Sequence, residues 1–82
     1  MGTAPERRAE LVALGNAVRA ARVTRGLSQE ELAAAAEISS RYLSKVEQGQ
    51  ANPTIEVLLA VAEALGRTAS ALMLIAEADT TE

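Results

Sequence analysis

The sequence predicts an all-α fold, a compact domain of five helices. Apolar residues make up 49% of the 82 residues. They recur at helical spacing, and no segment shows the alternation of a strand. Capping residues and glycines divide the chain into five such segments. Because Tyr42 is the only aromatic residue, the core of this short chain must be aliphatic and its helices closely spaced.

The first predicted helix begins near Pro5, because proline and the following Glu6 suit the first turn of a helix. Its pattern runs to about Arg25. Gly26 ends it, since glycine adopts a positive φ at no steric cost. Gly15 lies inside this pattern and either bends or divides the helix.

Two short helices follow. Ser28 caps the second helix, and Glu31 completes a capping box three residues later. Ser39 caps a third helix that covers residues 40–48 and ends at Gly49.

Two further helices complete the chain. Thr54 caps a fourth helix over residues 55–65, which Gly66 ends. Thr68 caps a fifth helix that begins at residue 69 and continues to about residue 77.

The composition excludes several classes of function. There is no cysteine and no histidine, which excludes disulfides, thiolate chemistry and the usual zinc sites. The chain also lacks a phosphate-binding loop and an inward pair of carboxylates, so we expect no enzyme activity, no metal and no cofactor. The first 13 residues lack the apolar run of a signal peptide, and no stretch approaches the length of a membrane span. We expect a cytoplasmic protein that does not enter a membrane.

The net charge of −3 argues against a nucleic-acid partner at first sight. The distribution of the charges argues differently. Residues 11–50 carry a net charge of +1, and the remaining residues carry −4. The acidic residues therefore lie mostly outside the second and third helices and their surroundings.

The second and third helices fit a helix-turn-helix arrangement, in which two short helices cross at a steep angle. Ala33 supplies the small residue that such a crossing needs. Apolar residues occur at the inward positions Leu32, Ala36, Ile38, Leu43 and Val46.

The third helix is sorted by chemistry at about 100° per residue. Its outer face bears only donors and cations, namely Arg41, Ser44, Lys45 and Gln48, with Ser40 at the edge. The one acid, Glu47, falls on the inner side. Arg41 and Lys45 either keep the protein soluble or bind an anionic partner. The absence of acidic residues from this face favours the second interpretation.

Several linked motifs within residues 14–73 resemble the Cro and phage-repressor type of helix-turn-helix family. The motifs are VRAAR at 18–22, GLSQEELA at 26–33, YLSKVEQG at 42–49, NPT at 52–54 and the segment 58–66. Among small members, the chain is similar to restriction–modification controller proteins. The resemblance implies a five-helix fold that binds double-stranded DNA.

The resemblance also implies roles for individual residues. The base-reading positions of the recognition helix are Ser40, Arg41, Ser44 and Lys45. The positions expected to meet phosphate are Arg19, Gln29, Ser39, Gln48, Gln50 and Asn52. Arg22 either binds phosphate or, as we prefer, forms a structural ion pair with Glu47. Arg19 is either a phosphate contact or an ordinary solvated charge, and Tyr42 is expected to straddle core and surface.

One position departs from the family pattern. The turn between the second and third helices often carries glycine in this family, but Glu37 occupies it here. If the backbone keeps a left-handed conformation there, glutamate costs about 1 kcal/mol relative to glycine.

Apolar residues on the last two helices predict a dimer. Apolar residues cover more of the circumference of helix four than packing against one core requires. Helix five has four large apolar residues in a row, which cannot all face the core. The predicted interface consists of Val61, Ala69, Leu72, Met73 and Ile75. The alternative is that helix five packs back on the first helix.

The sequence as a whole predicts a homodimeric, sequence-specific transcriptional regulator that places residues 39–48 in the major groove of a near-palindromic site. Residues 1–13 form a helical extension, residues 14–76 the DNA-binding domain with its helix-turn-helix at 29–48, and residues 77–82 a polar tail. The alternative is an antitoxin-like subunit that binds a protein partner, with DNA binding secondary.

Overall fold

Five α-helices make up the fold, as the sequence predicts. The computed structural model describes residues 4–80, with side chains from 8 to 78; residues 1–3 and 81–82 of the predicted extension and tail lie outside the described residues. The helices are α1 (Ala4–Thr24), α2 (Gln29–Ala36), α3 (Ser40–Glu47), α4 (Ile55–Ala64) and α5 (Ala69–Thr80). No strand occurs between residues 4 and 80.

The predicted caps begin the helices. The Ser28 amide donates to Glu31 Oε1 at 2.8 Å and the Glu31 amide donates to Ser28 Oγ at 3.0 Å, which completes the capping box. Ser39 and Thr54 likewise accept a backbone N–H of the first turn of α3 and α4. The Thr68 hydroxyl accepts from the Ala71 amide at the start of α5.

Four helices end in the same way. A glycine with φ near +70° follows each of α1, α3 and α4, namely Gly26, Gly49 and Gly66. Two backbone hydrogen bonds close each of these helix ends; after α3 they run from Gly49 N to Val46 O and from Gln50 N to Lys45 O. After α2 the same pair of bonds closes on Glu37, which has φ 61° and ψ 40°. A left-handed glutamate thus sets the turn into α3.

The core is aliphatic, as expected for a chain with one aromatic residue. Its largest fully buried side chains are Leu32, Leu43, Leu65, Leu72, Val18 and Val61. The most extensive contact between helices joins α5 to α1. This is the packing that the sequence left as the alternative to a dimer through α5.

Two residues of the predicted dimer interface are core residues instead. Val61 is 2% exposed and Leu72 is not exposed. Both belong to the buried hydrophobic core, so neither is available to a partner. The prediction was wrong for these two because helical periodicity alone does not say which sides of α4 and α5 face the core.

The helices differ from the sequence prediction at Gly15 and at the end of α5. α1 is one helix of 21 residues that runs through Gly15 without a break and crosses the predicted boundary between residues 13 and 14. α5 continues to Thr80 instead of ending near Glu77. Buried Ala76 still packs on the core in the last part of α5, and this support keeps the following turn helical.

No described helix is both long and apolar enough to cross a membrane alone. α4 and α5 pass that test of length and composition only when they are taken together, and they meet at a bend of 101°.

Candidate nucleic-acid interface

The third helix presents the outer face that its sequence predicts. Leu43 and Val46 are buried and anchor α3 to the body of the protein. Arg41 and Lys45 are exposed on the opposite side, and neither has an ion-pair partner among the described residues. The two serines of the predicted reading surface, Ser40 and Ser44, are half-buried beside them.

A buried carboxylate ties α3 to α1. Glu47 Oε2 accepts from Arg22 Nε at 2.7 Å, and Glu47 Oε1 accepts from Arg22 Nη2 at 3.1 Å. Arg22 Nη1 also donates to the Leu27 carbonyl at 2.9 Å. The hydrogen bonds that Arg22 donates to the Glu47 carboxylate raise the pKa of the Arg22 guanidinium, so this residue remains charged. Arg22 therefore forms the ion pair with Glu47 that we preferred over a phosphate contact.

The same carboxylate engages α2. Gln29 Nε2 donates to Glu47 Oε1 at 2.9 Å. The side chain of Gln29, a predicted phosphate contact, thereby joins α2 to the ion pair between α1 and α3. No sequence pattern predicts this bond, because residues 29 and 47 are brought together only by the packing of α2 on α3.

Several predicted contact residues surround one polar depression of about 290 Å³ between α1, α2 and α3. It is lined by Arg19, Arg22, Gln29, Ser44, Glu47 and Gln48. Gln48 Nε2 donates to Ser44 Oγ at 3.2 Å across its rim. The fold thus groups Arg19, Gln29 and Gln48 beside the outer face of α3.

The other predicted phosphate positions are not grouped with these. The Ser39 hydroxyl accepts the Tyr42 amide as the cap of α3. Gln50 is exposed after the end of α3. Asn52 lies at an apolar groove formed by α1, α4 and α5.

Exposed apolar side chains form a second surface on α4 and α5. Ile55 is 76% exposed, Leu59 is 55% exposed and Met73 is 38% exposed. Ile55 and Met73 line the apolar groove of about 320 Å³, whereas Ala69 is half-buried. The predicted interface omitted Ile55 and Leu59, although their spacing of four residues places them on one side of α4.

Two short helices joined by a tight turn, with the second helix held outward by a buried network, define a helix-turn-helix protein. The chain belongs to the helix-turn-helix family, whose model matches residues 18–72. No group of residues that could hold a metal ion occurs in the part of the chain that the structure describes.

A curated relative is the immunity repressor protein of Bacillus phage phi105. The two are 40% identical over 60 residues, which is 73% of this chain and 42% of the repressor. The chain spans about half the length of the curated relatives it matches.

Two solved structures share the fold. The clp gene regulator ClgR from Corynebacterium glutamicum aligns with a TM-score of 0.83 and 34% identity over 87% of this chain and 76% of that one. The restriction-modification controller protein C.AhdI from Aeromonas hydrophila aligns with a TM-score of 0.77 and 38% identity over 78% of this chain and 97% of its own. The five-helix prediction and the resemblance to this family are confirmed.

Proposed function

We propose that this chain binds double-stranded DNA sequence-specifically, as a homodimer, and regulates transcription in the cytoplasm. Residues 39–48 enter the major groove, and the site is near-palindromic. The relatives are transcriptional regulators and a phage repressor, and this supports the regulatory role.

The outer face of α3 carries the proposal. Arg41 and Lys45 are exposed cations, Ser40 and Ser44 lie beside them, and the only acid of the helix is buried. An arginine in the major groove can donate to both O6 and N7 of guanine, and serine can bond to several bases. A face with this composition attracts the edges of base pairs and contains no carboxylate to repel phosphate.

Phosphate contacts would set the register of α3. Arg19, Gln29 and Gln48 surround the polar depression beside the reading face, and Ser39, Gln50 and Asn52 complete the proposed set. Gln29 Nε2 uses one of its two hydrogens to donate to Glu47. The second hydrogen and the backbone N–H groups at the start of α2 remain as donors for a phosphate.

The dimer would form through exposed apolar residues of α4 and α5. Met73 and Ile75 remain from the predicted interface, with Ala69 half-buried at its edge, and Ile55 and Leu59 extend the surface. Exposed apolar patches of this kind mark interaction surfaces. A twofold dimer would present two copies of α3 about 34 Å apart, which matches successive major grooves.

A mobility-shift titration tests this function, with the DNA upstream of the chain's own coding sequence as the probe. We expect a complex that survives an excess of unrelated duplex of about a thousandfold, and an affinity that falls between low and moderate salt. Equal competition by unrelated duplex at both salt concentrations would reject sequence-specific binding.

The exposed apolar residues also favour a second function, an antitoxin-like subunit that covers Ile55, Leu59 and Met73 with a different protein. Chromatography with light scattering separates the two functions. A pure dimer that binds DNA unaided supports the regulator, whereas a monomer that binds DNA only with a co-purified protein supports the subunit.

A further inference from the structure

We infer that Gly15 positions the recognition helix, because the backbone of α1 at this residue is the surface on which the C-terminal end of α3 rests. The inference builds on the proposed DNA binding and assigns a role to a residue that itself faces no DNA.

Three contacts follow that face of α1. Val12, Gly15 and Arg22 are separated by three and seven residues, which places them on one side of the helix. Arg22 holds the Glu47 carboxylate. Gly15 and Val12 meet the end of α3 and the turn that follows it.

The approach at Gly15 is one of backbone to backbone. A methyl group there would collide with the carbonyl oxygens of Val46 and Glu47, and would lie 2.5 Å from the Glu47 oxygen and 2.8 Å from its carbonyl carbon. These are the last carbonyls of α3, so no side-chain rotation relieves the collision. Optimal separations between carbon atoms are about 3.5–4.0 Å, so alanine would require the helices to separate by about 1 Å.

The turn after α3 rests on the same helix. Gly49 has a φ of +74°, and a methyl group there would lie 2.8 Å from Val12 Cα and 3.0 Å from Val12 N. The end of α3 therefore contacts α1 at three places: at Gly15 of α1, at Gly49 of the turn after α3, and through the ion pair between Arg22 and Glu47. Among these contacts, Gly15 determines how far α3 stands from the body of the protein.

The distance of α3 from α1 matters for reading bases more than for binding phosphate. Hydrogen bonds to base edges weaken steeply when donors and acceptors move apart or out of line. Nonspecific binding depends on long-range charge and tolerates such a shift. A side chain at position 15 should therefore lower specific affinity and leave nonspecific affinity nearly unchanged.

The test compares Gly15→Ala with Ala20→Ser, which adds one heavy atom to an exposed position of the same helix. For Gly15→Ala we expect the affinity for the specific site to fall by about tenfold, and the affinity for unrelated duplex to change by less than about twofold. Amide NMR shifts should change along α3 and not along α5. The control should match the wild type in all three measurements.

Gly15→Ala overturns the inference if it binds the specific site as the wild type does, or if both affinities fall in proportion. If the variant is unfolded, the comparison is repeated in a Glu37→Gly background, which we expect to be more stable, with Glu37→Gly alone as reference. An unfolded double variant would also overturn the inference, because Gly15 would then be needed for folding itself. A wild type that binds no DNA would instead reject the proposed function, so the two failures are distinguishable.

Discussion

Single side chains on the outer face of α3 carry the proposed base reading, and the two cations differ in what they can recognise. The Arg41 guanidinium is planar and can donate two parallel hydrogen bonds to guanine, whereas the Lys45 ammonium acts as a point charge. Both are exposed. Arg41 is therefore the residue expected to contribute most to specificity.

Arg41→Ala should lower the affinity for the specific site by about 1–3 kcal/mol and relax the base preference at one position, because a bidentate pair is lost. Binding titrations against sites that vary at each position measure both effects. Arg67→Ala is the matched control, since it removes an exposed arginine outside α3. Unchanged affinity and preference in Arg41→Ala would remove Arg41 from the reading surface.

Glu37→Gly should raise the free energy of unfolding by about 1 kcal/mol, because only glycine adopts φ 61° without steric cost. Denaturant unfolding followed by circular dichroism measures the change. The same replacement at Glu63, inside α4, should lower the free energy of unfolding by about 1 kcal/mol. A destabilised Glu37→Gly would mean that the glutamate side chain stabilises the turn.

Local signals made much of the residue-scale structure predictable. Ser28, Glu31 and the three helix-ending glycines act through bonds to neighbours in the sequence, so their roles were readable without the fold. The left-handed conformation of Glu37 was anticipated only as a condition, from the glycine that this family often carries at the turn. The bond from Gln29 to Glu47 was not, because it depends on how two helices pack.

At the scale of elements, the recognition helix is held by partners on two other helices. Arg22 of α1 and Gln29 of α2 both donate to the buried carboxylate of Glu47 at the end of α3. A short helix of eight residues has little stability of its own. Its position therefore depends on this network and on the burial of Leu43 and Val46.

Glu47→Ala should lower the free energy of unfolding by about 3 kcal/mol, because it leaves the Arg22 guanidinium in a largely buried position without its partner. Urea unfolding checks the value. Glu63→Ala removes an exposed acid from α4 and serves as the control, with an expected change below about 0.5 kcal/mol. Equal small losses in the two variants would show that the ion pair contributes little to stability.

The arrangement of the helices was predictable in part. The inward faces of α2 and α3 followed from periodicity, and so did the inner position of Glu47. The place of α5 did not, because its four consecutive large apolar residues point in every direction. Leu72 was assigned to the surface for this reason, and Val61 because apolar residues cover so much of α4. Both are core residues.

At the scale of the whole molecule, the charged face of α3 and the exposed apolar residues of α4 and α5 are proposed to bind different partners. The reading face of α3 carries cations without acid, whereas the exposed apolar residues of α4 and α5 are suited to a second copy of the chain. In the proposed dimer, two copies would double the number of phosphate and base contacts. The net charge of −3 on each chain would not oppose these contacts at α3, because residues 11–50 carry a net charge of +1.

Met73→Glu should yield monomers and weaken binding to the specific site by about a hundredfold, because a monomer binds DNA with one copy of α3 and not two. Sedimentation velocity measures the oligomeric state, and a mobility shift measures the affinity. Thr24→Glu adds the same charge at an exposed position of α1 and should remain dimeric. A dimeric Met73→Glu would reject this interface.

Methylation interference on the bound duplex tests the central claim most directly, because methylation of guanine N7 places a methyl group in the major groove at the atom that arginine would contact. We predict two clusters of guanines, about 10 base pairs apart, at which N7 methylation blocks binding. In Arg41→Ala, one guanine in each cluster should lose its effect. Binding that is insensitive to guanine methylation throughout a site containing guanines in both half-sites would contradict the placement of α3 in the major groove.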